Sequence, residues 1–133
     1  MIKSIVLILF LTIGVFAKST VMDKETGLMW QDNSNIVMKN WSGAKSYCKN
    51  LSLGGYSDWF LPNIDELMSI SDKKRYKPAI KKIFKNSKNN YYWSSSNYKN
   101  NSSQAWLVDF SNGYDGYYGK SNKRYVRCVR ERQ

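Results

Sequence analysis

Histidine is absent from the 133-residue chain, which removes the side chain used most often as a general base near neutral pH and as a zinc ligand. Carboxylates are scarce as well, with ten Asp and Glu against 21 Lys and Arg and a formal net charge of +11. No acid occurs between Lys73 and Val108, so oxygen-rich calcium coordination has little to build on there. No metal site and no cofactor are expected. Cysteine occurs only at Cys48 and Cys128, and proline only at Pro62 and Pro78. In an exported chain two cysteines are read as one disulfide, the alternative being two reduced, buried thiols. Beyond the first seventeen residues no apolar run approaches the length needed to cross a bilayer, so stable membrane insertion is not expected of the rest.

Those seventeen residues are the one apolar run present. Lys3 precedes Ile5 to Ala17, a stretch with Thr12 as its single polar side chain and Val15-Phe16-Ala17 at its end. This is the pattern of a secretory signal peptide over 1–17, with an uncleaved anchor as the alternative. Residues 18–133 then suffice for one domain. Export directs the basic excess away from nucleic acid and towards anionic glycans or cell-envelope polymers. A periplasmic or extracellular location follows.

Short apolar segments at Thr20 to Asp23 and Leu28 to Gln31, divided by Lys24-Glu25-Thr26-Gly27, predict a β-hairpin. Trp41, Ala44, Cys48 and Leu51 recur at helical spacing behind Asn40 as a cap, with a glycine pair, Gly54-Gly55, ending the helix. In "GGYSDWFLPNIDEL", residues 54 to 67, Pro62 stops a short extended segment and Asn63 opens a second helix. Asn63 with Glu66 has capping-box spacing, and Asp65 and Glu66 fall in the first turn, where the helix dipole favours negative charge. Both acids are therefore architectural. Asp58 is read as a turn residue, with a binding role as the alternative.

Lys73, Lys74, Arg75, Lys77, Lys81, Lys82, Lys85 and Lys88 make one basic segment, expected as a short helix or turn on the surface. Tyr91 to Trp93 and Ala105 to Phe110 predict strands, and Asn112-Gly113 predicts a two-residue type I′ hairpin. A last strand is expected from Tyr125 to Arg130. Without repeats or linkers, the fold class is α+β, a single domain with two main helices packed on short, mostly antiparallel strands.

Several ordered motifs are more specific: Thr26-Gly27-Leu28-Met29-Trp30; Tyr47-Cys48; Gly54-Gly55-Tyr56-Ser57-Asp58-Trp59; Leu61-Pro62-Asn63; Tyr92-Trp93-Ser94-Ser95-Ser96; Val108-Asp109-Phe110-Ser111-Asn112-Gly113; and Val126-Arg127-Cys128-Val129-Arg130. In these the chain resembles the DUF1566 family, the C-terminal domain family of the Legionella collagen-like adhesin, across nearly all of 18–133. Phe60 departs from the pattern, which has arginine there. The resemblance implies a C-type-lectin-like fold related to formylglycine-generating enzymes, and glycan binding of an adhesion type.

The leading functional expectation is a non-catalytic binding module for an anionic polysaccharide or envelope polymer. The basic segment named above, with Lys120, Lys123, Arg124, Arg127 and Arg130, would supply the charges, and Tyr91, Tyr98, Tyr114, Tyr117 and Tyr118 the stacking faces. Thirteen asparagines accompany the lysines, so a compositional bias would account for part of the charge, and a charge run is commonly a solvated face. The alternatives are a structural or protein-interaction domain in an envelope assembly, with an envelope protein as partner, and a formylglycine-generating type of oxidase.

Overall fold

The computed structural model describes residues 19–131; the signal-peptide expectation falls on residues outside that range. Strands β1 (Thr20–Asp23) and β2 (Leu28–Gln31) form the expected hairpin. Gly27 closes it at φ +77°, where a side chain would be strained, and its N–H donates to Asp23 O at 2.8 Å. Strand β8 (Val129–Glu131) adds to β2 and completes a three-stranded antiparallel sheet.

A second, five-stranded mixed sheet has the order β3-β7-β4-β5-β6. Its strands are β3 (Met38–Lys39), β4 (Tyr91–Asn97), β5 (Gln104–Asp109), β6 (Tyr114–Gly119) and β7 (Arg124–Tyr125). Strands β4, β5 and β6 are antiparallel neighbours, while β7 meets β4 in parallel at Tyr92 and Tyr125. Two short helices complete the α+β domain: α1 (Trp41–Lys49) and α2 (Ile64–Met68).

Both helices start where local chemistry directs. Asn40 Oδ1 accepts from Gly43 N–H at 2.9 Å to cap α1. At α2 the capping box is closed in both directions: Asn63 Oδ1 accepts from Glu66 N–H at 2.7 Å, and Glu66 Oε1 accepts from Asn63 N–H at 2.8 Å. Helix α1 turns Ala44 and Cys48 inward, and Cys48 is bonded to Cys128. That bond spans 80 positions with Cα atoms 5.4 Å apart, so loop closure contributes about 4.5 kcal/mol in the chain-entropy model.

The β4–β5 pair is buried on both faces. Tyr92 and Val108 enter one core with Trp30, Phe110 and Val129, whereas Trp93 and Leu107 enter a second with Cys48, Trp59 and Cys128. Backbone crossing between the two sheets carries Val126 to Cys128, and this divides the single last strand expected from the sequence into β7 and β8. Val126 packs in the core that holds Trp93 and Val129 in the one that holds Tyr92.

Two further expectations are corrected. Gly54 and Gly55 do not end α1; that helix stops at Lys49, and the glycines, at φ +61° and +85°, form a separate turn between Leu53 and Tyr56. The segment from Asp72 to Asn90, expected as a short helix or turn, takes the second form, a series of turns drawn onto the core by buried Ile80 and Phe84. The β5–β6 connection is not a two-residue type I′ turn. Asp109 pairs with Tyr114, and Gly113 alone in the loop has positive φ, at +86°. Phe110 is fully buried and donates its N–H to Asn90 O at 3.0 Å, which holds it in the core and lengthens the loop.

Candidate functional site

The cations expected to bind a ligand separate into two groups. Arg127 and Arg130 are 3% and 5% exposed, because the chain crosses between sheets there. Arg127 donates to Gln31 O and Asn86 O, pairs with Asp32 at 3.4 Å, and lies over Phe84 with its guanidinium carbon 4.7 Å from the ring centre. Asp32 also accepts the Lys85 and Asn86 N–H groups, each at 2.9 Å, so this pair ties the basic segment to the N-terminal sheet. Arg130 donates from Nε and Nη2 to the two Asp58 carboxylate oxygens at 2.6 and 3.1 Å, and its guanidinium lies 3.7 Å from the Tyr56 ring centre. That hydrogen bonding holds the Asp58 carboxyl below its ordinary range. Asp58, read from the sequence as a turn residue, is instead the anchor of a cation 72 positions away.

Lys81 is likewise occupied. Its ammonium lies 2.9 Å from Asp23 and 3.0 Å from Glu25. Burial pulls its pKa down, yet the hydrogen bonds to the two carboxylates outweigh that and raise it. Lys81, Arg127 and Arg130 therefore leave the ligand-binding set: each has internal carboxylate partners, and the two arginines have almost no surface. Lys73, Lys74, Arg75, Lys77, Lys82, Lys85, Lys88 and Lys123 remain exposed.

The five tyrosines named from the sequence are brought together at the β6 edge of the five-stranded sheet. Cross-strand partners share a face, so the register places Tyr91, Tyr114, Gly116 and Tyr118 on one face and Trp106 with Tyr117 on the other. On the first face the Tyr91 and Tyr118 rings approach to 5.2 Å between centres across Gly116, with their hydroxyls 3.4 Å apart. Arg124 lies 4.9 Å from one ring centre and 4.8 Å from the other. Hydrogen bonding to Tyr118 raises the Tyr91 pKa, so the phenol stays neutral. On the opposite face Tyr98 stacks on Tyr117 at 3.8 Å, with Trp106 edge-on to both.

Both ends of β6 are cationic. At its start Lys73 lies 4.8 Å from the Tyr114 ring centre. The Lys73 stem passes close to Gly113, where a Cβ would lie 3.1 Å from Lys73 Cγ. At the far end Lys120 donates to Asn97 Oδ1 and Ser102 O and lies 4.1 Å from the Trp41 ring centre. Lys73 of the basic segment and Lys120 thus lie at opposite ends of β6. They flank a strip of tyrosines about 17–20 Å long, the length of a six-residue strand. On the first face Tyr114 and Tyr118 are 58% and 39% exposed, while Tyr117, 43% exposed, lies on the opposite face with Tyr98 stacked on its ring.

Trp41 and Lys45 escaped the sequence reading. Lys45 lies 4.2 Å from the Trp41 ring centre, so Trp41 is approached by two ammonium groups. Helical spacing assigned Trp41 to the core, and its half-buried position reflects that role only in part. Among the described residues no helix is long and apolar enough to cross a membrane, and no three His, Cys, Asp or Glu side chains converge as metal ligands do. In comparisons with known proteins, a family model described as the Lcl C-terminal domain matches residues 19–130. No curated protein matches the chain.

Proposed function

The chain belongs to the Lcl C-terminal domain family, and from that premise we propose an exported, non-catalytic binding module of C-type-lectin-like fold that holds an anionic polysaccharide or cell-envelope polymer. The observation that carries the reading is Arg124 seated against the Tyr91 and Tyr118 rings. Sugar rings stack on tyrosine faces, and a guanidinium beside them meets a carboxylate or sulfate through a bidentate fork. Lys73 and Lys120 extend the cationic character to both ends of the strip. The disulfide occupies both cysteine sulfurs, which weighs against an oxidase that uses them.

Retention of the purified protein on immobilised heparin tests the proposal. Arg124→Gln combined with Tyr118→Ala should elute at markedly lower salt than the parent with an unchanged unfolding temperature, and salt itself should weaken retention because exposed charges are screened over about 8–10 Å. Equal elution of parent and variant would refute the assignment of the strip. A second reading rests on the free edge of β6, to which a protein partner could add a strand. It predicts binding to an envelope protein that is insensitive to salt.

A further inference from the structure

A groove of about 650 Å³ lies between the outer face of α1 and the extended segment before α2. Its two walls differ in chemistry. Lys45 and Ser46 lie three and four positions after Ser42 and four and three before Lys49, so the four side chains share one helical face of α1. Facing them are Trp59, Phe60 and Leu61, with Ser95 at the side. Trp59 and Leu61 are buried, whereas Phe60 packs partly against the first core and keeps some surface accessible in the groove. Trp59 Nε1 donates to Tyr56 O at 3.1 Å, which turns its polar edge away. No acidic side chain lines the groove.

We infer that this groove is a second binding site, for a pyranose that carries a carboxylate or sulfate; the inference rests on the anionic-glycan reading above. The ammonium groups of Lys45 and Lys49 would hold the anionic group, and the apolar C–H face of the ring would lie on Phe60. The three serines decide between a sugar and an anionic lipid. An acyl chain would strip water from their hydroxyls without replacing it, at a cost of about 1–3 kcal/mol for each group left unpaired, whereas ring hydroxyls pair with them. Lys45 also connects the groove to the strip. It and Lys120 both lie close over Trp41, so their ammonium groups are no more than about 8 Å apart, within a Debye length at physiological salt. One polymer chain passes from the tyrosine strip across Trp41 into the groove.

Titration of the ¹⁵N-labelled protein tests the site with three probes: a galacturonic acid trimer, its neutral methyl ester, and a sulfated galactose trimer. The expected result is saturable amide shifts in 42–49 and 59–61 with at least one of the charged trimers and none with the ester. Lys45→Gln combined with Lys49→Gln should weaken binding of that trimer at least tenfold while leaving the unfolding temperature unchanged. The response to carboxylate against sulfate identifies the preferred acid. Absence of saturable shifts with both charged trimers, equal binding of the ester, or unchanged affinity in the double variant would overturn the inference. Heparin retention separates the two sites. A silent groove in a protein that still loses retention on Arg124→Gln removes the groove alone, while a saturable groove in a protein indifferent to Arg124→Gln removes the strip alone.

Discussion

Arg127→Met removes a cation that composition alone would count as surface charge. The structure gives it a different weight. Gln31 O and Asn86 O lose their donors, Asp32 loses its ionic partner, and Phe84 loses the guanidinium over its ring. Asp32 keeps two backbone N–H bonds, so its carboxylate is not wholly abandoned. Removal of one member of a buried pair costs about 3–5 kcal/mol, and the retained bonds place Arg127→Met towards the lower half of that range. For a domain of this size each kcal/mol moves the unfolding midpoint by about 3–6 °C, so a fall of roughly 10–20 °C is expected by calorimetry. Arg127→Lys keeps the charge but loses the planar fork, and should fall between parent and Arg127→Met. Heparin retention at a temperature where all three are folded should be unchanged. A midpoint within about 3 °C of the parent, accompanied by lost retention, would show that Arg127 serves a ligand and that its burial has been misassigned.

Glu66→Ala opens one half of the α2 capping box and should lower stability by about 1 kcal/mol in urea unfolding, with heparin retention unaffected; lost retention without lost stability would contradict an architectural role. Asp58 supplies a pH signature. Because hydrogen bonding from Arg130 lowers its folded-state pKa, its contribution to stability is fully present above the unfolded value near 4 and is lost as pH falls through the folded value. The difference in unfolding midpoint between parent and Asp58→Asn should be constant at neutral pH and shrink below about pH 4. A difference independent of pH down to pH 2 would refute the linkage.

Much of the fold was legible in the sequence because it depends on neighbours in the chain. The 3.6-residue spacing of Trp41, Ala44 and Cys48 turned the cysteine inward, where it meets Cys128. Asn63 and Glu66 formed the capping box their spacing implied. Tyrosines clustered late in the chain came together at β6 because β4, β5 and β6 are consecutive antiparallel strands, whose register follows from short connections. The basic segment was read as a short helix or turn on the surface, and it is a series of turns with mostly exposed lysines, held to the core by Ile80 and Phe84.

The sequence by itself determined the α+β class, the helix starts, the inward cysteine and the tyrosine-rich hairpin, since each arises from periodicity or from bonds that reach only a few residues. Tertiary structure alone decided which cations are free. Arg127 and Arg130 alternate with valines much as surface residues of a strand would, yet the chain crosses between sheets there and carries both guanidinium groups inward to Asp32 and Asp58. Lys81 likewise meets Asp23 across 58 positions. A charge has the same sign in the sequence whether it is solvated or paired. Its environment is set by which distant segments pack beside it, and those contacts exist only once the two sheets and their cores are assembled.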